Sequence, residues 1–170
     1  MRISLSTGVK ADADVARGCV RAGLQHFVRC VERLSLVTGG HLLDGIILTA
    51  IMCGNVADIP DDYLATGAIP PDDRRKPVSV YALSKQLVLP YETVRRHVTR
   101  LARAGFCIRV GREGVVVPHA AVARLAGSGG FPRALQDLER LVEQLDRLGA
   151  LTTEPARTGH AVTPVSVPAE

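Results

Sequence analysis

Aromatic side chains are scarce in this 170-residue chain, which has no Trp and only three Phe and three Tyr. Core volume must therefore come from Leu, Val, Ile and Ala, and 46% hydrophobic against 22% charged residues suffices for a folded core. Long apolar runs are also lacking. The longest, Gly45 to Gly54, is about half the ~20 residues needed to cross a bilayer. Lys10, Asp12 and Asp14 interrupt the N-terminal region before an export signal can develop, which predicts a soluble, cytoplasmic chain with no membrane partner. Paired cysteines are missing too: Cys19, Cys30, Cys53 and Cys107 are scattered, with no CxxC and no zinc-knuckle spacing to the histidines. They read as small buried hydrophobes, not as disulfides or metal ligands. No GxGxxG, phosphate-binding loop, HExxH or GxSxG occurs, so neither a cofactor nor enzymatic activity is expected.

What remains is a helical chain with one informative segment. Val15, Cys19, Ala22, Phe27, Val31 and Leu34 recur near the helical period from Asp12 on, and Gly39–Gly40 ends that helix. The following stretch from Leu42 to Ile59 is apolar on nearly every side and predicts a helix buried from several directions. Residues 1–59 are thus read as N-terminal helices behind a loose leader. Residues 60–77 contain four prolines and two Asp pairs, Asp61–Asp62 and Asp72–Asp73, and are expected to be an extended, soluble connector.

Residues 78–118 change character. Ser79 suits the N-cap of one short helix, Val88–Pro90 a turn, and Tyr91 to Gly105 a second helix. FCIRV and GVVVP around the tight Gly111–Gly114 loop predict a β-hairpin. Leu83, Leu87, Leu89, Val94, Val98 and Leu101 fall on facing sides, so two helices can cross over one small core while the outer face of the second stays free. Two short helices and a hairpin are the parts of a winged helix-turn-helix. Residues 119–149 read as C-terminal helices, with Leu135, Leu138, Val142, Leu145 and Leu148 as a stripe, and residues 150–170 as a disordered tail. The expected fold class is mostly α with a small β-hairpin, a winged helix-turn-helix flanked by N- and C-terminal helices.

The segment VSVYALSKQLVLPYETVRRHVTRLARAGFCIRV resembles the winged-helix domain of bacterial transcriptional regulators of the MarR and IclR-like type. Leu87, Leu89, Thr93, Val94, Leu101 and Gly105 carry the likeness, over about 40 of the 170 residues. Val88 stands where Gly is frequent, His97 where a small apolar residue is usual, and the 60–77 connector is longer than in that family. The resemblance implies a DNA-binding transcriptional regulator and a small-molecule effector.

The charge distribution points the same way without reference to any family. Residues 78–118 hold seven basic and two acidic groups, a net of +5, while residues 1–77 and 119–149 are each balanced and the tail carries −1, so the whole positive excess resides in this one segment. That is the footprint of phosphate contact. By position, Tyr91, Glu92, Thr93, Arg95 and Arg96 are the expected base readers, and Ser84, Lys85 and Arg100 the expected phosphate contacts. Arg112 is expected at the tip of the wing. A single reader makes few base contacts, and the two amphipathic terminal helices exceed what it can cover, so a homodimer on double-stranded DNA is expected. The rival expectation is a protein-interaction module whose Arg95 and Arg96 grip an acidic partner.

Overall fold

The computed structural model describes residues 2–5, 13–112 and 114–154. Leader residues 6–12, Glu113 of the hairpin loop and the tail from residue 155 lie outside the described residues. The described chain is mostly helical and carries a small three-stranded antiparallel sheet, in keeping with the expected mostly-α class. No single helix among the described residues is long and apolar enough to cross a membrane.

Two compact units divide the chain, one of residues 1–23 and 141–170 and one of residues 24–140. Helix α1 (Ala13–Val37) and helix α7 (Gly130–Arg147) each contribute to both. In the smaller unit, strand β1 (Arg2–Leu5) pairs antiparallel with strand β5 (Leu151–Glu154), Leu5 opposite Leu151 and Arg2 opposite Glu154. This corrects the expectation of a loose leader and a tail disordered from residue 150. Neither segment shows a strong strand pattern alone; each becomes a strand because its backbone donors and acceptors find the other's. Nearby, Gly18 lets α1 approach the Leu148 side chain so closely that a Cβ would lie 2.9 Å from its Cδ2.

The larger unit is built around helix α2 (Leu42–Asn55). Ile47 and Ile51 of α2 are fully buried against Val80 and Leu83 of helix α4 (Val80–Gln86), Val94, Val98 and Leu101 of helix α5 (Tyr91–Arg103), and Val115 and Val117 beside strand β4 (Gly114–Val116). Each such side chain contributes about 1.5–3 kcal/mol of burial. The many-sided burial read from the sequence of α2 is therefore found. Strand β3 (Ile108–Val110) pairs with β4, Val110 opposite Gly114, and strand β2 (Val78–Ser79) pairs with the other edge of β4, giving the order β2-β4-β3. The expected hairpin is present, with β2 as an unforeseen third strand. Helix α6 (His119–Gly127) closes the core with Ala121, Val122 and Leu125.

The stretch 60–77 is not the bare connector its composition suggests. It forms helix α3 (Asp61–Ala65) and a short 3-10 turn (Asp72–Arg74). The buried Arg75 donates from Nε and Nη2 to the Pro70 carbonyl at 3.1 and 2.9 Å. Asp72 accepts from the backbone N–H of His119 at the start of α6. Polar residues that look solvent-bound in sequence here tie the chain together. The cysteines divide: Cys107 is in the core, its thiol pushed up to about 11 by burial, while Cys19 and Cys30 are half-buried and Cys53 is exposed.

Candidate nucleic-acid interface

Ser79 caps α4, its side-chain oxygen accepting from the Ala82 N–H at 3.0 Å. Helix α4 then ends in a Schellman turn, in which Leu89 N–H donates to Ser84 O and Val88 N–H to Lys85 O. That turn requires a left-handed residue, and the chain supplies Val88 at φ +54°, the one non-glycine with positive φ among the described residues. Helix α5 ends in the same kind of turn, with Phe106 N–H donating to Leu101 O, but there the left-handed residue is Gly105 at φ +73°. The Val88 side chain is 90% exposed, so no packing compensates for its conformation.

Helix α5 is sharply two-faced. Val94, Val98 and Leu101 point into the core, whereas Tyr91, Glu92, Arg95, Arg96 and Arg103 are exposed and Thr93 is half-buried. Arg95 Nε donates to Glu92 Oε2 at 2.9 Å, a hydrogen bond that lowers the carboxyl pKa of Glu92 and raises that of the guanidinium. The pair is solvent-exposed, so an incoming anion can compete for Arg95. Arg96, Arg103 and Arg112 make no ion pair among the described residues, and Arg112 stands exposed at the hairpin turn. Lys85 is exposed too, its ammonium 5.4 Å from the centre of the Tyr81 ring. From β3, Arg109 reaches across to α5 and donates to Thr99 Oγ1 at 3.0 Å. Arg96, Thr99 and Arg103 fall at helical spacing on one stripe, so the Arg109 charge joins theirs.

One expected contact is corrected. Ser84 is buried, and its hydroxyl donates to the Tyr81 carbonyl at 2.8 Å, so it faces the core and cannot hold a phosphate. Arg100 stays exposed, but its Nε donates to Asp44 Oδ2 at 2.5 Å, while His97 Nδ1 is 2.6 Å from Asp44 Oδ1. Asp44 is buried on α2, so this triad pins α5 to the core helix. Burial pushes the Asp44 pKa up, but hydrogen bonds from Arg100 and His97, with their charges, outweigh it and leave the carboxyl below its ordinary value. His97 is thereby half of a clamp on Asp44.

Sequence reasoning missed three positioning residues. Asp44 was hidden in a stretch read as apolar on nearly every side. Asn55, also on α2, is buried; its Nδ2 donates to Lys76 O at 2.7 Å and Val115 O at 3.1 Å, and its Oδ1 accepts from Val117 N–H at 2.8 Å. It thus fixes the sheet against the helices. Arg109 was counted as charge but given no place. A lone polar residue inside an apolar helical run is the signal that could have found the first two. Compared with known proteins, the chain matches no family model, no curated protein and no solved structure.

Proposed function

We propose that residues 78–118 form a winged helix-turn-helix, and that the chain is a sequence-specific regulator of transcription that binds double-stranded DNA as a homodimer. The observation that carries this reading is the outer face of α5. A rigidly seated helix presents Tyr91, Arg95 and Arg96 outward, flanked by Lys85, Arg103, Arg109 and Arg112, while Glu92 is the one acidic residue of the helix itself. A helix with its N-terminal turn exposed and cations on either side fits the major groove, with base edges met by the first turns and phosphates by the flanks. Arg96, without an ion-pair partner, is the leading guanine reader, able to offer a two-pronged contact. Arg112 would reach the backbone or minor groove from the hairpin.

Dimerisation is supported by apolar surface left over from the core. Leu24, Phe27 and Val28 of α1 and Phe131, Leu135 and Leu138 of α7 are exposed at helical spacing, a kind of surplus that marks an interface. Of the rest of the expected α7 stripe, Val142 is exposed, whereas Leu145 and Leu148 are half-buried within the chain and are not part of that surface.

The test is selection of bound duplexes from a random pool by the full chain, followed by affinities for the enriched site and a scrambled control at stated salt. Arg96→Ala is expected to cost about 1–3 kcal/mol on the enriched site and little on the control. Lys85→Ala is expected to weaken both equally and reduce the salt slope by about one. A pool that yields no enriched sequence, or equal losses for Arg96→Ala on both duplexes, overturns the reading.

A further inference from the structure

Away from the outer face of α5, the larger unit contains a cleft of about 610 Å³. That volume is in the range of small-molecule sites, roughly 300–1,000 Å³. Its lining is rich in cations, with Arg29 and Arg33 from α1, Arg124 from α6, and Arg133 and Arg140 from α7 against the acidic Glu32 and Asp137. Leu36, Val37, Phe106 and Leu125 add apolar surface to the same lining.

The hydrogen bonds within the cleft are incomplete. Asp137 is taken by Arg33, which donates to its Oδ2. Arg29 Nε lies 3.4 Å from Asp137 Oδ1, an ion-pair contact without hydrogen-bond geometry, and Arg29 Nε and Nη2 are buried with no hydrogen-bond partner. Buried guanidinium donors left unmatched are costly, and the Asp137 carboxylate, engaged by Arg33, leaves the Arg29 donors without a hydrogen bond. Arg133 and Arg140 make no ion pair among the described residues. Arg124, by contrast, is held in place, donating to Gly105 O at 2.8 Å and lying over the Phe106 ring at 5.6 Å.

We propose that this cleft is a binding site for a small amphipathic anion, its oxyanion head on Arg29 with Arg133 and Arg140, and its apolar body on Leu36, Val37, Phe106 and Leu125. Forked guanidinium donors suit both carboxylate and phosphate heads, and the apolar part of the lining excludes a bare inorganic ion as the best-fitting ligand. The site requires only the cleft and does not depend on α5 binding DNA.

Octanoate and octyl phosphate are titrated separately into the full chain by calorimetry, with 1-octanol and inorganic phosphate as controls. At least one octyl anion should bind about tenfold or more tightly than both controls, because charge and apolar contact are each worth about a factor of ten or more. The tighter of the two identifies the head group. Arg29→Met should weaken that binding at least about tenfold, as expected for loss of a charged hydrogen-bond donor. Arg133→Gln, at an exposed position, should weaken it about threefold and serves if Arg29→Met alters the far-UV circular dichroism. Octanol binding as well as the anions, no binding by either anion, or unchanged affinity in a folded Arg29→Met chain and in Arg133→Gln would overturn the proposal. None of these readouts involves DNA, so failure here is separable from failure of the DNA reading.

Discussion

Replacing Val88 by glycine should make the protein more stable, although it removes three carbon atoms. Val88 occupies the left-handed position of the turn between α4 and α5 at φ +54°. An L-residue there costs about 1–2 kcal/mol relative to glycine, and a β-branched one is at the upper end. Against that relief, glycine gives the unfolded chain more freedom, which costs about 0.4–1 kcal/mol. Packing contributes nothing to the balance, because the side chain is 90% exposed. The net expectation for Val88→Gly is a gain of about 1–1.5 kcal/mol. For a chain of this length that corresponds to about 2–6 °C in Tm. Urea unfolding followed by circular dichroism gives the free energy, and an unchanged m-value shows that the end states are the same. Val88→Ala should gain less, since it retains a Cβ in the left-handed region. A loss of stability in Val88→Gly would refute the reasoning, since it would mean that the turn is not left-handed or that the valine packs on something.

Three further outcomes follow from the same contacts. Arg112→Ala, at an exposed turn, should change stability by less than about 0.5 kcal/mol while weakening DNA binding, and a large stability loss with intact binding would place the hairpin inward. Asp44, with its pKa held below the ordinary carboxylate value, stabilises the fold above about pH 4 and loses that contribution as pH falls through its lower folded-state pKa. Urea midpoints measured from pH 6 to 2 should therefore fall less steeply in Asp44→Asn than in the parent chain; equal slopes would remove Asp44 from the acid response. Leu135→Arg with Leu138→Arg, both on exposed α7 positions, should convert a dimer into a folded monomer. Sedimentation of the parent chain as a monomer at tens of micromolar, or a double variant that remains dimeric, would contradict the proposed interface.

The sequence alone determined what depends on near neighbours along the chain. Periodic apolar residues placed α1, α2, α4, α5, α6 and α7, because a helix buries positions three and four apart whatever lies opposite. The caps were equally local: Ser79 and Gly105 act on backbone groups within a few residues. The concentration of positive charge in residues 78–118 also needed no structure, since charge is counted, not folded.

Tertiary structure decided where polar groups find their partners. Asp44 reaches residues 53 and 56 positions away, and Asn55 reaches Val115 and Val117, 60 and 62 positions away. No local pattern encodes such distances, so an apolar run concealed two residues that fix α5 and the sheet in place. The same reason tied Arg100 to Asp44 and left Arg96 without such a partner among the described residues, and put Ser84 in the core beside an exposed Lys85. Strands β1, β2 and β5 are too short to show a two-residue alternation and exist because a partner strand satisfies their backbone. The anion cleft needed α1, α6 and α7 side by side before its five arginines, spread from residue 29 to residue 140, could become one site.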